Sequence, residues 1–155
     1  DKKSRAVAVV VHGSSALDRN VFSDIGSSRA PFFGGYANAD ILAGANSVLA
    51  DARDTLKEAL SKSKEDMLVV TGHSIGAAQA ALIAVSLLEE HAAGKASIVP
   101  VAGMRCFAFA PPPCLTADVS SRARNHITTV SLRSDVVQRL SHASVTSSLG
   151  VLGSL

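Results

Sequence analysis

At 155 residues, with 47% hydrophobic residues and a net charge of +2, the chain can bury one full domain core and is too apolar to be disordered. The small charge argues against nucleic acid as a partner, and one Tyr with no Trp argues against a base-stacking platform or an aromatic sugar site. No stretch approaches the ~18 uninterrupted apolar residues of a membrane span, and Cys106 and Cys114 are too few for a disulfide scaffold.

The chain does not begin with Met, carries no signal peptide and opens within a few residues on a strand, so an excised domain or processed fragment is expected. Ala6-Val-Ala-Val-Val-Val11 is a continuous apolar run, as for a strand covered on both faces. It ends in His12-Gly13-Ser14-Ser15. Ser15 followed by Asp18 looks like a helix start. Leu17, Val21, Phe22 and Ile25 follow at helical spacing and Gly26 closes the segment, so a short amphipathic helix is expected. Ser27 to Tyr36, with Pro31 and Gly34-Gly35, is expected to be loop. The clearest helix comes next. Ile41, Leu42, Ala45, Val48, Leu49, Ala52, Leu56 and Leu60 keep a 3-or-4 spacing, and polar Ser61 to Asp66 end it.

Met67 to Thr71 reads as a strand running into Gly72-His-Ser-Ile-Gly76 and then an Ala-rich helix from Ile75 to about His91, stopped by Gly94. A Gly-x-Ser-x-Gly pentapeptide recurs by chance. Between a strand and a helix it reads as a nucleophile elbow, whose tight turn demands nearly side-chain-free neighbours. Gly72 and Gly76 meet that demand, with Ala77 and Ala78 behind them. Ser74 is thereby pushed out above a helix N-terminus, whose free N–H groups and partial positive charge suit an oxyanion.

Met104 to Ala110 is a third strand, ended by Pro111-Pro-Pro113 because proline lacks a ladder donor. Cys106 within it is expected to be a buried thiol, and both cysteines reduced. Ala117 to Arg124 should be a short helix and His126 to Leu132 a fourth strand. Ser134-Asp135 opens the following loop, and Val136 to Leu155 suggests a further helix. Strands alternating with helices give an α/β fold, a mostly parallel sheet flanked by helices. In such sheets functional groups gather at the carboxyl ends of the strands, here His12 to Ser14, Ser74, Pro111 and Asp135.

Val10-Val-His-Gly-Ser-Ser15 is similar to an oxyanion strand and turn, and Asn20-Val-Phe-Ser-Asp-Ile25 to the segment that follows it. Thr71-Gly-His-Ser-Ile-Gly76 is similar to the elbow, and Phe107-Ala-Phe-Ala-Pro-Pro112 with Ser134-Asp-Val-Val-Gln-Arg-Leu-Ser141 to the late strand and acid loop. In that order and over nearly its whole length, the chain resembles the class 3 (fungal-type) triacylglycerol lipases, and within them the diacylglycerol lipase-like branch. It departs from them in having Phe33-Gly-Gly-Tyr36 where a His-x-Gly-Phe-like segment is usual, and His12 where Arg is commoner.

The resemblance implies an α/β-hydrolase-like sheet, cut short at both ends. It also implies Ser74 as nucleophile toward an ester carbonyl, forming an acyl-enzyme. The N–H groups of Ser14 and Ile75, with the Ser14 hydroxyl, would hold the oxyanion, and Asp135 would orient a histidine. Read alone, Ser14 equally caps the helix after it, and Asp135 equally caps one starting at Val136. Chain order in this fold is Ser, Asp, His, and His142 is the only histidine after Asp135. Reaching the next parallel strand end takes about a dozen residues or more, so His142 is too close. The base, with a last strand, is expected beyond Leu155, and residues 1–155 alone should be a weak or inactive hydrolase. His73 is expected to pack away from the nucleophile, and His12, His91 and His126 to be strand-end or surface positions.

Leu17, Val21, Phe22 and Ile25 either bury against the sheet as a plain surface helix or form a lid that lifts at a lipid surface; the resemblance favours the lid. The leading function is a serine ester hydrolase acting on acylglycerols or other lipid esters, with transient lipid-surface contact. The alternatives are a soluble esterase or thioesterase of the same fold, and a catalytically silent lipase-like binding domain. No cofactor is expected, and no His, Cys or carboxylate set has metal-ligand spacing. An intracellular or membrane-peripheral compartment is expected rather than secretion.

Overall fold

The computed structural model describes residues 6–13, 28–62, 67–95 and 103–133. The expected helices over Leu17–Ile25 and after Val136 lie outside those residues. In chain order the described elements are β1 (Val7–Val11), β2 (Arg29–Phe32), β3 (Gly35–Asn38), α1 (Ala39–Lys62), β4 (Leu68–His73), α2 (Ile75–Ala92), β5 (Met104–Phe109), α3 (Ala117–Ala123) and β6 (Ile127–Val130).

Four of the strands form one sheet in the order β1-β4-β5-β6, every pair parallel. Val9, Val70, Cys106 and Ile127 stand in one row across it, and Val10, Thr71, Phe107 and Thr128 in the next. Alternation sends these rows to opposite faces. The first face, with Val11, Leu68, Met104 and Ala108, is buried beneath α2, which contacts β1, β4 and β5. On the other face Val10 is 73% exposed and Phe107 37%. The apolar run over residues 6–11 anticipates cover on both faces of β1, but the described helix α2 covers only one. The alternating exposure of Ala8 and Val10 against buried Val11 follows from that.

Helix α1 packs against α2 through Ile41, Ala45, Leu49 and Leu56, the stripe its spacing predicts. It starts where buried Asn38 accepts a 3.0 Å hydrogen bond on Oδ1 from the Ile41 N–H, an N-cap satisfying one orphan donor. Arg53 grips Glu90 of α2 through two hydrogen bonds of 2.7 and 3.2 Å.

Residues 29–38 correct the expectation of a loop. They form an antiparallel hairpin in which Pro31 faces Tyr36 and Phe32 faces Gly35. Phe33 at φ 43 and Gly34 at φ 80 supply the two left-handed residues that a tight hairpin turn requires. Pro31 is tolerated because a two-stranded ribbon has only edge strands. The hairpin docks on residues 114–116, where Asn38 donates to the Cys114 carbonyl, Thr116 to the Tyr36 carbonyl, and Tyr36 to Thr116 Oγ1. Arg122 of α3 then reaches both Glu89 of α2 and the Phe33 carbonyl at the hairpin tip.

Cys106 and Cys114 are free thiols. Burial pushes both up to about 12 from the ordinary 9.0, the neighbouring Cys106 adding to the shift at Cys114. Unfolding above about pH 9 therefore releases protons that the folded chain keeps, and stability declines from there toward about pH 12. Urea midpoints measured across that window should fall as pH rises, with a shallower fall in Cys106→Ala. Thiol reagents at about pH 8 should modify the unfolded chain far faster than the native one.

Candidate active site

Ser74 alone separates the last residue of β4 from the first of α2. A turn of one residue forces it to φ 55 and ψ −127, a left-handed conformation that costs a non-glycine residue about 1–3 kcal/mol. The surroundings hold it there. Its N–H donates to the Phe109 carbonyl at 2.9 Å, extending the β4–β5 ladder, and its own carbonyl accepts from Ala77 at 2.9 Å and Ala78 at 3.2 Å. The hydroxyl makes no capping hydrogen bond, and the residue is half-buried. A side chain so placed is anchored through its backbone while its oxygen stays free to react.

Three glycines make that turn fit. A Cβ on Gly76 would lie 2.5 Å from the Val11 carbonyl oxygen and 2.7 Å from the Gly13 nitrogen. One on Gly13 would lie 2.5 Å from the His73 carbonyl oxygen, and one on Gly72 would strike the Gly76 carbonyl. The end of β1, the end of β4 and the first turn of α2 thus meet backbone to backbone. The elbow glycines 72 and 76 were expected from their spacing. Gly13 lies in the expected oxyanion turn, and the close approach to His73 adds a packing reason for a glycine there.

The first turn of α2 holds no acidic residue, so no side chain of its own compensates the positive end of its dipole. The Ile75 side chain is buried, and its N–H has no acceptor among the described residues. That is the donor an oxyanion beside Ser74 would use.

Ser14, Asp135, His142 and the segment Leu17, Val21, Phe22 and Ile25 lie outside the described residues. Of the histidines, His12 and His73 share the carboxyl rim with Ser74, and both are exposed. Packing is the expectation for His73, but it is exposed, because alternation from buried Leu68, Val70 and Gly72 puts it on the face that no described helix covers. His126 sits at the opposite rim, with Nδ1 3.3 Å from the Met104 carbonyl, and exposed His91 lies in the last turn of α2. Among the described residues no three His, Cys, Asp or Glu side chains gather as metal ligands, and no helix is long and apolar enough to cross a membrane.

Beside Ser74, His12 and His73 the rim carries exposed apolar side chains. Phe109, Val130 and Leu132 are 43%, 42% and 81% exposed there. Beside it a cleft of about 340 Å³ runs along Pro111 to Pro113, walled by Ala81, Ala108, Leu115 and Ile127, with Arg124 on its border.

Residues 8–145 match the family model of the class 3 lipases. No curated protein matches the sequence. Among solved structures, the lipase from Rhizopus microsporus var. chinensis superposes with a TM-score of 0.74 at 17% identity, over 90% of this chain and 48% of its own. For lipase II from Rhizopus niveus the values are 0.67, 16%, 84% and 51%. A triacylglycerol lipase whose catalytic centre is formed by a serine protease triad gives 0.75, 19%, 91% and 53%. The shared feature is the fold, an α/β-hydrolase sheet, and the chain spans about half the length of these structures.

Two kinds of glycine substitution should separate close contact from conformational strain. Gly13→Ala or Gly76→Ala forces backbone apart and should destabilise by about 1–3 kcal/mol or more. Gly34→Ala meets nothing within 4 Å but keeps a φ of +80, and should lose only about 1 kcal/mol. Denaturant midpoints measured at one temperature read the ranking directly.

Proposed function

The chain belongs to the class 3 lipase family, and from that premise we propose that it is a serine ester hydrolase whose nucleophile is Ser74. The observation that carries this is the lone left-handed serine between β4 and α2, with its hydroxyl unused by the cap and an open helix N-terminus beneath it. Ser74 Oγ attacks the ester carbonyl carbon while a histidine takes the hydroxyl proton. The tetrahedral oxyanion is received by the N–H groups of Ile75 and Ser14, each such donor contributing about 3–4 kcal/mol to the barrier reduction. Collapse breaks the bond to the alcohol, which leaves with the proton the histidine held. Water then attacks the acyl-enzyme and gives its proton to the same histidine, which passes it to Ser74 Oγ as the bond to the acyl group breaks and the acid is released. Asp135 orients that histidine, which belongs C-terminal to Asp135 after a crossover longer than the one to His142.

The substrate proposed is an acylglycerol, in keeping with the resemblance of the sequence to the diacylglycerol lipase-like branch of the family. The cleft along Pro111 to Pro113 suits an acyl chain, since most of the described residues that line it are apolar, with Ser120, Arg124 and Thr129 the polar ones. Transient contact with a lipid surface is proposed through Phe109, Val130 and Leu132 on the rim of Ser74. Leu17, Val21, Phe22 and Ile25 are proposed as the lid over the same rim.

In the full protein, a fluorophosphonate should label Ser74, and Ser74→Ala should abolish labelling and lower acylglycerol turnover by at least about 10³-fold. An unlabelled wild-type protein that still binds lipid vesicles would instead identify a silent lipase-like binding domain. Turnover should rise once the substrate forms an interface, and Leu132→Asp should weaken vesicle binding while a soluble short-chain ester is still cleaved. A rate indifferent to the interface would point to a soluble esterase.

A further inference from the structure

One peptide unit lies between the nucleophile and the strand that leads to the acid loop. The carbonyl of Phe109 accepts the Ser74 N–H at 2.9 Å, and the N–H on the other side of that same peptide bond, from Ala110, donates to the Val130 carbonyl at 2.8 Å. A single plane is therefore fastened to the elbow on one side and to the last residue of β6 on the other. Directly after it the chain must leave the sheet, since Pro111 cannot donate to a ladder. Ala110 makes that exit at φ 50. A left-handed alanine has no polar side chain to ease the conformation, and such residues persist only where the surroundings over-determine them. The two hydrogen bonds are those surroundings.

We propose that Ala110 is a positioning residue, whose left-handed backbone holds the Phe109–Ala110 peptide between Ser74 and β6 and so sets the spacing of the nucleophile from the end of β6. The inference rests on Ser74 being the nucleophile. Ala110 touches no reacting atom; it acts through the Ser74 backbone. A β-branched residue there resists a positive φ and tilts the peptide, moving the Ser74 nitrogen or the end of β6. Glycine accepts the same φ freely.

The test compares Ala110→Val, Ala110→Gly and a remote core variant, Leu56→Ala, in the full chain, at a temperature where all remain folded. Ala110→Val should slow fluorophosphonate labelling of Ser74 and lower kcat by roughly 10- to 100-fold with KM little changed. Ala110→Gly should recover at least about half of the wild-type rate, because it restores the conformation. Leu56→Ala should lose stability yet label like wild type, and a merely structural role for Ala110 would make Ala110→Val do the same. Should Ala110→Val fail to fold, Ala110→Thr, also branched at Cβ, is read in the same way. Folded Ala110→Val or Ala110→Thr labelling at the wild-type rate would overturn the proposal. Absence of labelling in wild type would instead remove Ser74 as nucleophile, and this inference with it.

Discussion

The structure depends on a contact that contains no side chains. Where β1 ends, β4 ends and α2 begins, glycines 13, 72 and 76 let three stretches of backbone approach to distances that any Cβ would forbid. The register makes this meeting possible, because Val11 stands beside Gly72 and the two strands finish level. A strand-to-helix turn of one residue follows from it. With no room for a longer linker, Ser74 takes the left-handed conformation and projects from the rim.

Such a turn would relax if its supports yielded, and they are stiff. Helix α2 is buried from Ile75 through Leu87 with half-buried Gln79 the only break, and its Ala77, Ala78, Ala80, Ala81 and Ala84 lie flush with their neighbours. Alanines contribute little apolar area, so Leu82, Ile83, Val85 and Leu87 supply most of what the helix buries. A reactive group on the end of an element buried in this way is held by core packing and not by loop geometry.

The parts legible in the sequence were those with a strong local period or a short-range rule. The stripe of α1 and the glycine spacing of the elbow are of that kind, and the apolar strands between helices imply the parallel order that forms. The hairpin of residues 29–38 was not legible, because Pro31 and Gly34-Gly35 signal a loop as strongly as a turn. What makes these residues strands is a partner far along the chain, at Cys114 to Thr116. The outward direction of His73 was readable in principle from the parity of Leu68, Val70 and Gly72. Knowing that no described helix covers this face required the tertiary structure. Gly13 is similar: its need to be side-chain-free comes from the elbow, not from its own neighbours.

Charge is distributed along α2 in a way that serves the proposed chemistry. Glu89 and Glu90 sit at its carboxyl end, where the helix dipole is already negative and two carboxylates are unfavourable. Arg53 from α1 and Arg122 from α3 each neutralise one of them. Partly exposed pairs of this kind are worth up to about 1 kcal/mol each, so their effect lies in where they stand as much as in how strongly they bind. They lie about 22 Å along the helix from Ser74, and the first turn has no acidic residue at all. Among the described residues, polar side-chain fastening is thus concentrated at the far end, and the near end is secured by backbone hydrogen bonds and glycine contacts. An acid in the first turn would have capped the helix and stabilised it, but would also have occupied the N–H groups and potential that a developing oxyanion needs. The chain places its stabilising charges where they leave that end of the dipole open.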